Sequence, residues 1–111
     1  MDEQYVKMAK IFQALSNPKR VQIFDMLSGG EMCACVLLEH FRVAQPTLSH
    51  DMKVLMDAGI VKSRRDGQRT VYSLNMDSLG KMQQVMKKML QANAGPAGEQ
   101  RPGQPGKTDA E

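Results

Sequence analysis

The sequence predicts a mainly α winged helix-turn-helix: four helices, a β-hairpin and a final helix. Three observations predict it. Apolar residues recur at helical spacing through most of residues 3–58. Two short helical segments, about 35–41 and 45–58, are separated by three to four residues, as in a helix-turn-helix. The apolar period then changes around Asp66-Gly67, a dipeptide that marks a hairpin when short strand-like runs flank it.

Taken in order, Tyr5, Met8, Phe12 and Leu15 give a first helix over about 3–15. Ser16-Asn17-Pro18 reads as a cap followed by proline in the first turn of a second helix. Val21, Ile23, Phe24 and Leu27 form its buried face, and Ser28-Gly29-Gly30 ends it. A third helix covers about Cys35–Phe41. A fourth opens at Gln45-Pro46, runs to Ala58 with Leu48, Met52, Leu55 and Met56 inward, and stops at Gly59. With Asp66-Gly67 as the turn, Val61 pairs with Tyr72, Ser63 with Thr70, and Arg64 faces Arg69. Like charges so placed repel, and an anion such as a DNA phosphate would relieve them. The last helix, about 76–91, carries Leu79, Met82, Val85, Met86, Met89 and Leu90 on one stripe, a wide apolar face for a terminal helix. Residues 1–91 thus form one domain. The remaining segment, 92–111, has four glycines and three prolines and no Leu, Ile, Val or aromatic residue, and is expected to be disordered.

Composition narrows the function. No apolar run approaches the roughly 18 residues that cross a bilayer, and the acidic, polar start Met1-Asp2-Glu3-Gln4 is unlike a signal peptide. A cytoplasmic protein is expected, in which a Cys-x-Cys pair is reduced and serves metal or redox chemistry rather than a structural disulfide. The net charge of +3 is modest. Its placement says more: Lys62, Arg64, Arg65 and Arg69 against Asp66 make a basic hairpin, with Gln68 beside them, suited to phosphate. Taken alone, such a patch is a solvated hairpin tip. On the fourth helix Gln45, Thr47, Ser49, His50 and Lys53 fall on or near the outer face, toward the end that enters the major groove in this motif. Gln, Ser and Thr can bond base edges and Lys53 a phosphate. No Ser/His/Asp set, paired carboxylates or glycine-rich phosphate loop points to an enzyme, and no cofactor is required.

The two cysteines, Cys33 and Cys35, lie in Glu31-Met32-Cys33-Ala34-Cys35, directly before the DNA-reading helix pair. Soft thiolates favour thiophilic ions, and a helix start lowers a thiol's pKa. Within a regular helix, residues two apart point about 200° apart. Sharing one ion therefore needs the first turn to unwind, fray or be irregular already. Two buried apolar cysteines would be the plain structural alternative.

The run Gln45 to His50, followed by Lys53-Val54-Leu55 and Ala58-Gly59-Ile60-Val61, resembles the recognition helix of the ArsR/SmtB family of metal-responsive repressors. Leu15-Ser16-Asn17-Pro18-Lys19-Arg20 is similar to the same family, and Glu31 to Cys35 to the sensing motif of its arsenic-responsive branch. The resemblance covers about residues 5–91. It implies a homodimeric repressor of an arsenic-resistance operon, released from a near-palindromic double-stranded operator when As(III) or Sb(III) binds Cys33 and Cys35. It further implies a dimer interface on the first and last helices, drawing on Tyr5, Met8, Phe12, Leu79, Met82, Val85, Met86 and Met89. Two departures stand out: Leu38 occupies a position where some members carry a third cysteine, and Asp51 one where many carry histidine. Asp51 is expected to face sideways or pair with Lys53 or His50, and His40 to pair with Glu39 or cap carbonyls. The last helix has no histidine and the N-terminus no cysteine, unlike the zinc-type and cadmium/lead-type members. A thiol redox-sensing repressor is the alternative, and a small thiol oxidoreductase, which would want Cys-x-x-Cys on a βαβ scaffold, ranks far behind.

Overall fold

The computed structural model describes residues 1–92; of the expected tail it includes only Ala92, which is helical, and the expected disorder of 93–111 lies outside the described residues. The elements are α1 (Glu3–Ala14), α2 (Pro18–Leu27), β1 (Met32–Cys33), α3 (Ala34–Phe41), α4 (Gln45–Asp57), β2 (Val61–Asp66), β3 (Arg69–Leu74) and α5 (Met76–Ala92). The winged helix-turn-helix is therefore present, with one strand more than expected. β1 completes a three-stranded antiparallel sheet in the order β1-β3-β2.

Local chemistry sets the helix starts. The Asp2 carboxylate accepts the Gln4 N–H at 2.9 Å and opens α1. Asn17 Oδ1 accepts the N–H groups of Lys19 (2.9 Å) and Arg20 (3.3 Å), and Pro18 fills the first position of α2, where no N–H is needed. Three residues, Arg42 to Ala44, separate α3 from α4. Arg42 takes left-handed backbone geometry (φ 55°) to end α3, its N–H reaching Leu38 O at 2.8 Å.

The core lies where α1, α2, α3 and α4 meet the base of the sheet. Ile23, Leu37, Leu48, Met52, Leu55 and Ile60 are fully buried. In α1 the inward stripe is Met8, Ile11 and Ala14, while Tyr5 and Phe12 remain about half exposed. In α2 Ile23 and Leu27 are buried and Val21 is exposed, because it sits about 200° from Ile23 around the helix.

The hairpin register differs from the expected one. Val61 pairs with Leu74, Ser63 with Tyr72, Arg64 with Val71, Arg65 with Thr70 and Asp66 with Arg69. The turn is Gly67-Gln68, with positive φ (65°) at Gly67 alone, which suits glycine in the first central position of a type II′ turn. Arg64 therefore does not face Arg69. Opposite charges, Asp66 and Arg69, close the hairpin instead.

Candidate DNA interface and thiol site

α4 separates its residues by face. Leu48, Asp51, Met52 and Leu55 are buried, whereas Gln45, Thr47, Ser49, His50 and Lys53 are exposed. Gln45, Ser49 and Lys53 follow one another at four-residue steps, so they line one ridge. Ala44 supplies no side-chain cap, which leaves the positive end of the helix dipole bare beside Gln45. Lys53 is engaged by Asp57 at 3.1 Å in an exposed pair one turn on. That pair is weak and leaves the ammonium available for exchange.

Asp51 does not pair with Lys53 or His50. Its carboxylate is buried and meets two cations from the start of α2: Lys19 Nζ at 2.8 Å and Arg20 Nη1 at 3.3 Å. Oδ2 has no directional hydrogen bond and rests on the Lys19 charge. Arg20 Nε also donates to Ala14 O at 2.6 Å. Asp51 thus fastens α4 to the start of α2, and Arg20 separately ties the start of α2 to the end of α1. The sequence carried a signal for this: Asp51 stands three residues after Leu48 and four before Leu55, inside the apolar stripe. His40 meets neither Glu39 nor a helix carbonyl. Its Nε2 lies 3.0 Å from Gln22 Nε2, and its ring packs edge-on to Phe41.

On the hairpin, Arg64, Arg65, Gln68 and Arg69 are all exposed. Arg65 Nη1 donates to Thr70 Oγ1 at 3.2 Å. Arg64 is held by Glu31: Nε donates to Oε1 at 3.1 Å, and Nη2 donates to Oε1 at 3.0 Å and to Oε2 at 2.9 Å. This hydrogen-bonded pair lowers the Glu31 pKa below its ordinary value and raises that of Arg64. No local pattern signals this pairing, since the two residues lie 33 positions apart.

The cysteines converge at the junction of β1 and α3. Cys33 is not a helical residue. It is the N-cap of α3, with extended backbone (φ −67°, ψ 143°), and its Sγ accepts the Cys35 N–H at 3.1 Å. This bend sets the two Cα atoms 5.1 Å apart, within disulfide range, and the structure joins the sulfurs as a Cys33–Cys35 disulfide. The expected obstacle, two sulfurs on opposite sides of a helix, does not arise, because only Cys35 lies in the helix. Cys33 is buried and Cys35 exposed, so any reagent meets Cys35 first. Among the described residues no group of three or more His, Cys, Asp or Glu side chains is placed to hold a metal ion. The chain offers two sulfurs, with Leu38 half-buried at the position of the possible third.

Of the residues expected at a dimer interface, Met8 and Leu79 are already buried within the protomer. Tyr5 and Phe12 are about half exposed, and Met82, Val85, Met86 and Met89 are half-buried. A groove with a volume of about 870 Å³ runs between α1 and α5, with Met82, Val85 and Met89 in its wall. No helix among the described residues is long and apolar enough to cross a membrane.

Comparison with known proteins agrees with this geometry. Residues 17–63 match the family described as "Bacterial regulatory protein, arsR family". The chain is 49% identical over 75 residues to the arsenical resistance operon repressor of Staphylococcus xylosus, covering 68% of this chain and 72% of that protein. It is 51% identical over 71 residues to the arsenical resistance operon repressor of Staphylococcus aureus, covering 64% and 68%. In fold it is similar to a homodimeric winged helix-turn-helix DNA-binding domain from Mycobacterium bovis, with a TM-score of 0.63 at 24% identity over 87% of this chain and 88% of that one. The chain, with its helix-turn-helix and basic wing, therefore belongs to the arsR family of bacterial regulatory proteins and is a DNA-binding transcriptional repressor, not an enzyme.

Proposed function

We propose that this repressor acts in the cytoplasm as a homodimer on a near-palindromic operator of an arsenic-resistance operon, and that As(III) or Sb(III) bound by Cys33 and Cys35 releases it. The observation that carries this reading is the convergence of the two sulfurs at the point where β1 becomes α3. The names of the staphylococcal relatives support the arsenical connection.

The two thiolates of the reduced pair would hold the metalloid, and a small-molecule thiol or hydroxide would complete its coordination, since no third protein ligand adjoins them among the described residues. A bound metalloid is an inducer rather than a resident cofactor. It would tie two thiolates that are otherwise free of each other to one centre. Cys33 is fixed on the sheet by pairing with Val71, so any displacement falls on Cys35 and the first turn of α3. Leu37 of α3 is fully buried in the core that also receives Leu48 and Met52 of α4. A shift of α3 therefore disturbs the seat of the DNA-reading helix. Coupling of this kind is typically about 1–3 kcal/mol and acts equally in both directions.

On DNA, Gln45, Thr47, Ser49 and His50 would read bases, while Lys53, Arg64, Arg65, Gln68 and Arg69 would meet phosphates. Exposed Tyr5 and Phe12, with Met82, Val85, Met86 and Met89, would form the contact with the second protomer, setting the two recognition helices about 34 Å apart.

A second reading has one observation in its favour: the sulfurs are joined, as in a thiol redox sensor. The test is a gel-shift titration on the region upstream of the protein's own gene. Arsenite should release the wild type but not Cys33→Ser or Cys35→Ser, both of which should keep their DNA affinity. Cysteine variants that still respond to arsenite would move the inducer site elsewhere. Release by low peroxide with arsenite inert would establish the redox reading.

A further inference from the structure

Arg64 stands on the wing that the proposed function sets against phosphate, yet a carboxylate already occupies it. Glu31 takes Nε and Nη2 together, the side-on edge of the guanidinium, in three hydrogen bonds of 2.9–3.1 Å. A phosphate oxygen pair fits that same edge. To use it the phosphate must displace Glu31. If it takes Nη1 instead, it meets the negative charge of Glu31 beside it. Both partners are about half exposed, with side chains 54% and 49% accessible, so the pair can exchange.

We infer that Glu31 is an intramolecular competitor for DNA at Arg64, a carboxylate standing where a phosphate would otherwise bind. The inference rests on the wing meeting DNA. The position of Glu31 is fixed by the sensor segment rather than by the wing. Glu31 immediately precedes β1, whose Met32 and Cys33 pair with Tyr72 and Val71 of β3. Val71 also pairs with Arg64 on its other side. The buried thiol and the wing arginine thus share one rung of the sheet, about 10 Å apart by strand spacing. The clamp therefore links the segment bearing the cysteines to the DNA-facing edge of the wing, and it lowers basal affinity for DNA.

The test is a double-mutant cycle on DNA affinity, using wild type, Glu31→Gln, Arg64→Ala and the double variant. Affinity is read by fluorescence anisotropy at fixed low salt on a mixed-sequence duplex, because phosphate contacts need no operator. Glu31→Gln should tighten binding by about threefold for each wing engaged, the order expected of an exposed ion pair. In the Arg64→Ala background the same change should have no effect beyond error. Equal tightening in both backgrounds would reduce Glu31 to a general repulsive charge and overturn the inference, as would unchanged or weaker binding of Glu31→Gln. Glu31→Ala, which removes the carboxylate without offering an amide, must behave as Glu31→Gln does. The operator reading is judged separately: it fails if the upstream region binds no more tightly than the mixed duplex, and the cycle remains readable in that case.

Discussion

Replacing Asp51 by Asn removes the charge that ties α4 to the start of α2 while keeping the volume of the side chain. Asp51 is 4% exposed, and its loss strands two cations unequally. The Lys19 side chain is 29% accessible and can turn to water; that of Arg20 is 14% accessible and keeps only its bond to Ala14 O. Breaking a fully buried pair costs about 3–5 kcal/mol, and discounting for the partly solvated lysine leaves about 2–3 kcal/mol. For a folded unit of this size, 1 kcal/mol moves Tm by roughly 4–8 °C, so Asp51→Asn should lower it by about 10–20 °C. The assay is thermal unfolding followed by circular dichroism at one fixed protomer concentration, since dimer stability depends on concentration. The double variant Asp51→Leu with Arg20→Met replaces the buried pair by apolar groups and should recover much of the loss. A shift under about 2 °C for Asp51→Asn, or a double variant as unstable as the single one, would refute the idea that this pair seats α4.

Three further outcomes are expected. Arg65→Ala or Arg69→Ala should weaken binding to all duplexes alike and reduce the slope of log K against log salt by about 1 for each phosphate no longer neutralised, measured by anisotropy over a salt series. Gln45→Ala or Ser49→Ala should instead relax base preference at single operator positions, by about 1–3 kcal/mol of discrimination, in competition against base-substituted operators. The third concerns pH. Arg64 depresses the Glu31 pKa below 4.5, so the stabilisation from this pair is complete above that value and is lost as pH falls through the folded-state pKa. The difference in Tm between wild type and Glu31→Gln should therefore stay flat from neutral pH down to about 5 and shrink at more acid pH; a difference that grows on acidification contradicts the assignment.

The helices were legible because burial repeats every three to four residues and because their starts carry local chemistry, as at Asn17-Pro18. The hairpin was located correctly but misaligned, for a definite reason. The expected register sets Val61 against Tyr72 and the observed one sets it against Leu74, a shift of two residues. Side chains alternate with period two, so both alignments bury the same faces, and the apolar pattern cannot choose between them. The choice lies in which residue takes positive φ, and Gly67 takes it as the first residue of the turn. β1 is two residues long and consists of Met and Cys, too short for any alternation to show. The thiol pair stood out in the sequence, but its geometry did not, because helix periodicity says nothing about a residue just outside the first turn. Asp51 and Glu31 found partners 31 to 33 positions away, contacts that only the assembled fold creates.

On α4, the side chains that anchor the helix and those that face outward are different residues. Leu48, Asp51, Met52 and Leu55 fix its place, and Gln45, Thr47, Ser49 and His50 have no part in that. The outward four can therefore be rewritten without loosening the scaffold beneath them. On the proposed function, a chain built this way would be retargeted to a new promoter by surface changes alone, with Cys33 and Cys35 left untouched.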